Sequence, residues 1–159
     1  MSEPTPPDRA ALASRSGRGA ATADQRLGHA IAVRVYWEDT DAGGVVYYAN
    51  YLKFLERARS EWLRGFGFEQ DVLRDRDGLA FVVRRVEVDY LAPARFNDSL
   101  EVTVTLAALG RASLDIEQAV LRGPTRLVTA RVKLACVDAV MFKPARIPSP
   151  IIEAVGRAP

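Results

Sequence analysis

Two aspartates, Asp39 and Asp41, stand just before a predicted helix, in a loop that ends with Gly43 and Gly44. A carboxylate can act as a general base on water or attack an acyl carbon directly. The first turn of a helix offers unpaired N–H groups and a partial positive charge, which can hold a developing oxyanion. Two glycines let the backbone turn tightly and approach a ligand. This equipment fits acyl transfer to water, although aspartates at such positions also cap turns and helices.

Other kinds of site find little support in the sequence. The chain has one histidine, His29, and one cysteine, Cys136, so a Ser-His-Asp or Cys-His site would depend on His29 alone. The carboxylates show no calcium-loop spacing, and no phosphate-binding or dinucleotide glycine motif is present. We therefore predict no metal and no bound cofactor.

Composition and charge limit the partners and the location. The chain has 22 basic and 20 acidic residues, a formal charge of +2, and no dense basic run, so we predict no nucleic-acid partner. No apolar run approaches the roughly 20 residues that a transmembrane helix needs. A single cysteine cannot form a disulfide within the chain, and the N-terminus has no apolar leader segment. We therefore expect a protein of the cytoplasm.

One amphipathic helix follows the aspartate loop. Its apolar side chains recur at spacings of four, three and four residues, which places them on one helical face. Gly65 and Gly67 provide stop signals at its end. The face predicted to be buried comprises Tyr51, Leu55, Ala58 and Trp62, widened by Leu52 and Leu63.

The other segments alternate apolar and polar residues, as half-buried strands do. Short turns join the last three of these runs, which predicts an antiparallel meander. Residues 69–77 form a short helix or a loop, and the prolines after Pro144 predict an extended tail. The predicted fold is α+β, with a sheet curved around one helix. Residues 1–28 form a flexible arm, 29–150 one domain and 151–159 a C-terminal tail. The strand-like runs lie near residues 29–38, 82–90, 100–106, 114–120 and 128–136.

These residues resemble a known enzyme family. The segment YWEDTDAGGVVY (36–47), followed by NYLKFLERARSEWL, is similar to the hotdog-fold acyl-CoA thioesterases. The nearest branch is the Tol-Pal-associated (YbgC-type) thioesterases, close to the 4-hydroxybenzoyl-CoA thioesterases. Similar segments occur at 81–102, 110–118 and 135–148. The resemblance implies the hotdog fold, a curved antiparallel sheet of about five strands wrapped around one long central helix.

The resemblance also implies site residues. Asp41 takes the position of the catalytic carboxylate, and Asp39 that of a residue that shapes the loop. Tyr48 takes the position whose backbone N–H holds the thioester carbonyl. The Tol-Pal-associated branch usually has histidine there, whereas the 4-hydroxybenzoyl-CoA branch has tyrosine. The resemblance therefore does not specify which acyl group the substrate carries. The residues implied close to the carbonyl are Gly43, Gly44, Val45 and Val46.

Several further side chains are candidates for substrate contacts. Arginine pairs well with phosphate oxygens, so we predict that Arg84, Arg85 and Arg111 bind the phosphates of CoA. Each also has the ordinary interpretation of a solvated charge at a strand edge. Ser113 is a candidate hydrogen-bond donor or a plain turn residue. Glu56 is a candidate base, or a surface partner of Lys53 or Arg59.

The predicted function is hydrolysis of a short-chain aliphatic or aromatic acyl-CoA to free acid and CoA. The family resemblance implies a homo-oligomer, a dimer or tetramer, with sites between subunits. One alternative is a hotdog module that binds acyl thioesters, or interacts with an acyl carrier protein, with little turnover. Another is a hydratase or dehydratase, which the lack of histidine after residue 29 opposes.

Overall fold

The computed structural model describes residues 28–156, so the predicted arm lies outside the described residues except for Gly28. The predicted order of strand, helix and four strands is confirmed, with residues 70–77 helical and one further helix at the end. A short 3-10 turn at Trp37–Asp39 precedes the first helix. The elements are β1 His29–Arg34, α1 Asn50–Gly65, α2 Gln70–Asp77, β2 Leu79–Tyr90, β3 Ser99–Leu109, β4 Ser113–Arg122, β5 Thr125–Asp138 and α3 Ser149–Gly156.

The five strands form one antiparallel sheet in the order β1-β3-β4-β5-β2. The meander predicted for the last three strands is confirmed as β3-β4-β5. β2 pairs with β5 along one side only, so its other edge carries no strand from the described part of the chain. Arg84 is an extra residue between the paired positions Val83 and Arg85, a bulge that bends β2.

Helix α1 packs its apolar face on the inner face of the sheet. Tyr51, Leu55, Ala58, Trp62 and Leu63 are buried, as predicted. The prediction for Leu52 was wrong, because its side chain is 41% exposed. Successive helical residues point about 100° apart, so Leu52 leaves the face that Tyr51 occupies, while a residue three positions after Tyr51 returns to it. That residue is Phe54, which is fully buried.

The sheet supplies the other half of the core through alternate residues of its strands. Cys136 lies on this inner face and is fully buried, where burial raises the pKa of its thiol. It packs as a small apolar residue. The buried strand residues include Leu100, Val102, Val104, Leu114, Ile116, Val128, Val132 and Leu134.

The extended tail predicted after Pro144 was wrong for residues 149–156, which form helix α3. Pro150 lies in the first turn, where a missing N–H breaks no helical hydrogen bond. Ile151 and Val155 are four residues apart, share one face and are buried in the core. The folded unit therefore continues beyond residue 150 through α3. No helix among residues 28–156 is long and apolar enough to cross a membrane.

The packing of α3 can be tested at Ile151. Replacing Ile151 with Ala removes a fully buried side chain and should lower the free energy of unfolding by about 2–5 kcal/mol. Urea denaturation measures the change. Ile152 is only half-buried, so Ile152→Ala is the matched control and should cost less than half as much. Equal, small effects of both changes would mean that this segment does not pack on the core.

Candidate active site

Asp39 fixes the loop that leads into α1. Its side chain is 8% exposed, and its Oδ2 accepts a hydrogen bond from the N–H of Tyr36 at 2.9 Å. Its carbonyl oxygen accepts the N–H of Tyr47 at 2.8 Å and the Nδ2–H of Asn50 at 2.9 Å. Because these bonds join both ends of the loop, the loop keeps one shape at the start of the helix.

Asp41 stands in the same loop with an exposed side chain. Its Oδ1 accepts the N–H of Gly43 at 2.8 Å, and its backbone bonds with Val45 and Gly44 at 2.9 and 3.0 Å. Among the described residues nothing donates to its Oδ2. The carboxylate is therefore oriented through one oxygen and open to a reactant through the other.

Tyr48 lies in the turn before α1, two residues ahead of the first helical residue, Asn50. Its N–H has no hydrogen-bond acceptor within residues 28–156. Two residues later, the N–H of Asn50 donates to the carbonyl oxygen of Tyr47 at 2.8 Å and closes the turn. An unpaired N–H at a helix start carries partial positive charge. Tyr48 is 61% exposed, so the turn that carries this donor lies at the protein surface.

Tyr90, at the end of β2, holds the turn from the other side. Its hydroxyl donates to the carbonyl oxygen of Tyr48 at 3.0 Å, and its ring lies edge-on to the Tyr48 ring at 6.2 Å. Burial raises the pKa of the Tyr90 hydroxyl, so it keeps its proton and stays a donor. Sequence reasoning placed Tyr90 in a strand but did not predict its contact with the site. It also did not predict that Asn50 holds the loop through Asp39. A polar Asn at the first position of an apolar helix was the available signal for Asn50.

The predicted site residues are spread along β2, with Arg84 and Arg85 near its middle and the others towards its two ends. Asp41, Gly43 and Tyr48 lie at the end marked by Tyr90. Ser113 pairs with Ala135 of β5, and Ala135 pairs with Val82 near the start of β2. At about 3.3 Å per residue, Val82 and Tyr90 are roughly 26 Å apart along the strand. Within one chain, Ser113 and its neighbour Arg111 therefore lie far from Asp41.

The three predicted phosphate-binding arginines are all exposed. Arg85 forms an ion pair with Glu87 on β2. Arg84 occupies the bulge, and Arg111 lies in the turn between β3 and β4, where its carbonyl oxygen accepts the N–H of Ile147 at 2.9 Å. The side chains of Arg84 and Arg111 are open to an anion from solvent, while that of Arg85 already pairs with Glu87.

Glu56 lies on α1 within electrostatic reach of Arg59, one of its two predicted partners, and its hydrogen bond goes to a different residue. Its Oε1 accepts the hydroxyl of Ser60 at 2.6 Å, one turn along the helix. Both line a cavity of about 110 Å³ between α1, α2 and the sheet. The nearby Arg59 donates to Gln118 at 2.8 Å, and burial lowers the pKa of its guanidinium. Glu56 thus belongs to a polar rim over the core.

His29 lies far from the Asp41 loop. It begins β1, while the loop follows the end of that strand, and it lines a cleft with Trp62 and Phe66. Since the sequence has no other histidine, no imidazole of this chain reaches Asp41. Within residues 28–156, no three His, Cys, Asp or Glu side chains are grouped to hold a metal. The polar groups that the loop presents are the carboxylate of Asp41 and backbone N–H donors.

Comparison with known proteins identifies the family. The family model of the thioesterase-like superfamily matches residues 35–155. The chain belongs to this superfamily. It is 44% identical over 124 residues to the acyl-CoA thioesterase YbgC of Haemophilus influenzae, covering 78% of this chain and 91% of that one. It is 45% identical to the acyl-CoA thioester hydrolase YbgC of Escherichia coli, covering 76% and 90%. The resemblance to YbgC-type thioesterases is confirmed.

Solved structures agree on the fold of this thioesterase. A probable thioesterase from Bartonella henselae superposes with a TM-score of 0.74 at 41% identity, covering 77% of this chain and all of that one. A 1,4-dihydroxy-2-naphthoyl-CoA thioesterase from Synechocystis superposes with a TM-score of 0.75 at 23% identity, covering 81% and 96%. The predicted α+β hotdog fold is confirmed. The YbgC relatives named above confirm the predicted class of enzyme, a thioester hydrolase.

Proposed function

We propose that this thioesterase hydrolyses short-chain aliphatic or aromatic acyl-CoA to free acid and CoA, with Asp41 as the reacting carboxylate. One observation carries the proposal: a single loop presents an open carboxylate oxygen and the unpaired N–H of Tyr48. Relatives named as acyl-CoA thioesterase or acyl-CoA thioester hydrolase support the thioester class. The proposed reaction needs only water and a carboxylate, with no metal or bound cofactor.

Asp41 has two routes to the same products. As a general base it takes a proton from water, and the resulting hydroxide attacks the thioester carbon. As a nucleophile it attacks that carbon itself, and water then hydrolyses the mixed anhydride. In both routes the C–S bond breaks and the sulfur leaves as CoA thiolate. The carbonyl oxygen becomes anionic in each, and the N–H of Tyr48 donates to it, a contact typically worth about 3 kcal/mol.

The loop between Asp41 and Tyr48 is proposed to surround the thioester. Gly44 adopts a left-handed conformation with φ of 75°, and a Cβ there would meet nothing within 4 Å. Open space next to a bare backbone suits close approach of a substrate. The contacts proposed for the carbonyl and its neighbouring atoms come from Gly43, Gly44, Val45 and Val46.

The CoA contacts are proposed to come from a second copy of the chain. Arg111 and Ser113 lie near the start of β2, away from Asp41 of the same chain. The free edge of β2 offers unpaired backbone groups to another strand, and two-fold pairing is the commonest form of homo-oligomer. We therefore propose a homodimer, which can pair again into a tetramer, with Arg84, Arg85 and Arg111 available to the phosphates of CoA.

Gly43 tests the orientation of Asp41. A Cβ at this position would lie 3.0 Å from Asp41 Oδ1, so Gly43→Ala must displace the carboxylate. We expect kcat to fall about tenfold or more, since small misplacement of a reacting group is costly. Gly67→Ala is the control: it strains the backbone through its positive φ but touches nothing, and it lies beyond the C-terminal end of α1, away from the Asp41 loop. It should cost stability of about 1 kcal/mol and leave more activity than Gly43→Ala.

A hydrolysis screen tests the function. The substrates are acetyl-, hexanoyl-, palmitoyl-, benzoyl- and 4-hydroxybenzoyl-CoA, with released thiol measured by a chromogenic disulfide. We expect turnover well above background with a short aliphatic or an aromatic acyl group and little with palmitoyl-CoA. Tight binding of every substrate without turnover would instead support an acyl-thioester-binding module. Preference for the same acyl group on an acyl carrier protein would identify that protein as the partner.

The proposed location is the cytoplasm. Cys136 is a free, buried thiol, which is the usual state of cysteine in a reducing compartment. Cell fractionation with an antibody against the protein tests this proposal directly.

A further inference from the structure

Three consecutive apolar side chains protrude from the turn after β5. Val140, Met141 and Phe142 are 81%, 62% and 66% exposed, and we call these residues the apolar turn. Asp138 holds their backbone, since its Oδ1 accepts the N–H of Val140 at 2.9 Å and of Met141 at 2.7 Å. Exposed apolar groups clustered in this way commonly mark a contact surface.

The conformation of Phe142 strengthens this interpretation. Its φ is 53°, in the left-handed region that bulky residues rarely adopt and that Gly or Asn occupies at lower cost. The N–H bonds from Met141 and Val140 hold the pKa of Asp138 below its usual range, so its carboxylate stays charged and the turn stays closed. The turn thus presents a large ring to solvent from a rigid support.

The apolar turn lies at the start of β2. Leu79 is paired with Asp138, and the N–H of Ala139 donates to the carbonyl of Gly78 at 2.8 Å. The Asp41 loop lies at the other end of the same strand, where Tyr90 bonds with Tyr48. Within one chain the two features are therefore separated by almost the full length of β2, about 36 Å at ~3.3 Å per residue.

Two-fold pairing along the free edge of β2 removes this separation. Antiparallel strands with full overlap set the first residue of one against the last of the other, so Leu79 would face the partner's Tyr90. We propose that the apolar turn of one protomer covers the Asp41–Tyr48 site of the other and forms the wall that selects the acyl group. This inference rests on the homodimer proposed above.

The surfaces that would meet are complementary in character. At the site end, Tyr47, Tyr48, Tyr90 and Leu91 are exposed, and at the turn end the three apolar side chains are exposed. Contact between the two groups removes apolar area from water on both sides. A closed wall also keeps water away from the thioester, apart from the one water molecule that reacts.

Charge placement separates the acyl end from the CoA end. Lys143 and Arg146 follow the apolar turn and are exposed, and the backbone of Arg111 bonds with Ile147 beside them. These cations suit phosphate groups, whereas the uncharged tip of the turn suits a hydrocarbon or aromatic acyl group. The tip therefore faces the acyl side of the thioester.

Cross-linking tests the position of the turn. In the double variant Met141→Cys, Leu91→Cys, the two thiols of one chain lie too far apart for a short bismaleimide, because the length of β2 separates them. We expect a covalent dimer in high yield, and less than a tenth of that yield from either single variant. Light scattering on the same sample reports the mass. A dimer by mass that does not cross-link overturns the position of the turn and leaves the dimer standing, whereas a monomer by mass overturns both.

Substrate selection tests the role of the turn. In the variant Met141→Ser, Phe142→Ser we expect kcat/KM for hexanoyl- and benzoyl-CoA to fall about tenfold or more, with acetyl-CoA changed less than about threefold. Val72→Ser is the control, an exposed apolar residue on α2, and should leave all three values unchanged. A uniform fall across the substrates, or no change, would overturn selection by the turn. Light scattering and thermal unfolding of each variant test whether it is still a folded dimer.

Discussion

Asp41→Asn should lower kcat for the best acyl-CoA substrate about a thousandfold, or ~4 kcal/mol in activation free energy. The amide has the size of the carboxylate, and its Oδ1 can still accept the N–H of Gly43, which lies 2.8 Å from Asp41 Oδ1 in the parent protein. The loop should therefore keep its shape while the group that takes the proton or attacks the carbonyl is lost. Thiol release under saturating substrate measures the effect, and KM should change little.

Glu38→Gln is the matched control for this prediction. Glu38 is an exposed carboxylate three residues before Asp41, so its neutralisation changes the local charge equally without touching the proposed reacting group. We expect its kcat to stay within about twofold of the parent, since exposed charges contribute little. An Asp41→Asn enzyme as fast as the parent would remove Asp41 from the mechanism, and equal losses in both variants would indicate a general charge effect.

Phe54→Ala should lower the free energy of unfolding by about 3–5 kcal/mol. The Phe54 side chain is fully buried between α1 and the sheet, and its ring meets the Tyr51 ring edge-on at 6.0 Å. Truncation leaves a cavity that the surrounding strands fill only in part. Since domains are commonly stable by only 5–15 kcal/mol, this one change should populate unfolded chains at moderate temperature.

Urea denaturation at a fixed protein concentration measures this change, because an oligomer's stability depends on concentration. Val72→Ala, at an exposed position of α2, should cost less than about 1 kcal/mol. A Phe54→Ala protein as stable as the Val72→Ala protein would contradict the packing of α1 described above.

Periodicity predicted most of the fold because burial imposes it. The strands alternate and the helix repeats every three to four residues, so the sequence indicated which elements exist and which faces they bury. It misplaced Leu52, which follows Tyr51 directly in the chain and therefore points about 100° away from the buried face of the helix. It also missed α3, since Pro148 and Pro150 hide a helix whose formation depends on burying Ile151 and Val155.

The candidate site was predicted less completely than the fold. Residues close in sequence, such as Asp41 and Gly43, were placed together because one loop carries them. Tyr90 was missed because its contact with Tyr48 joins positions distant in the chain. Arg111 and Ser113 were candidates because their side chains can bind phosphate or donate a hydrogen bond, and nothing in their spacing could reveal that they lie at the opposite end of β2 from Asp41.

The unpaired edge of β2 has a consequence for aggregation. A strand edge open to pairing can recruit chains without limit, but a symmetric contact uses the same edge on both copies and closes after two. The outer edges of the joined sheet would then both be β1, a short strand of 6 residues that ends in Arg34. Short, charged edges resist further pairing. A dimer built in this way would hide the one long exposed strand edge of residues 28–156 and end in two short edges that are poor templates for fibre growth.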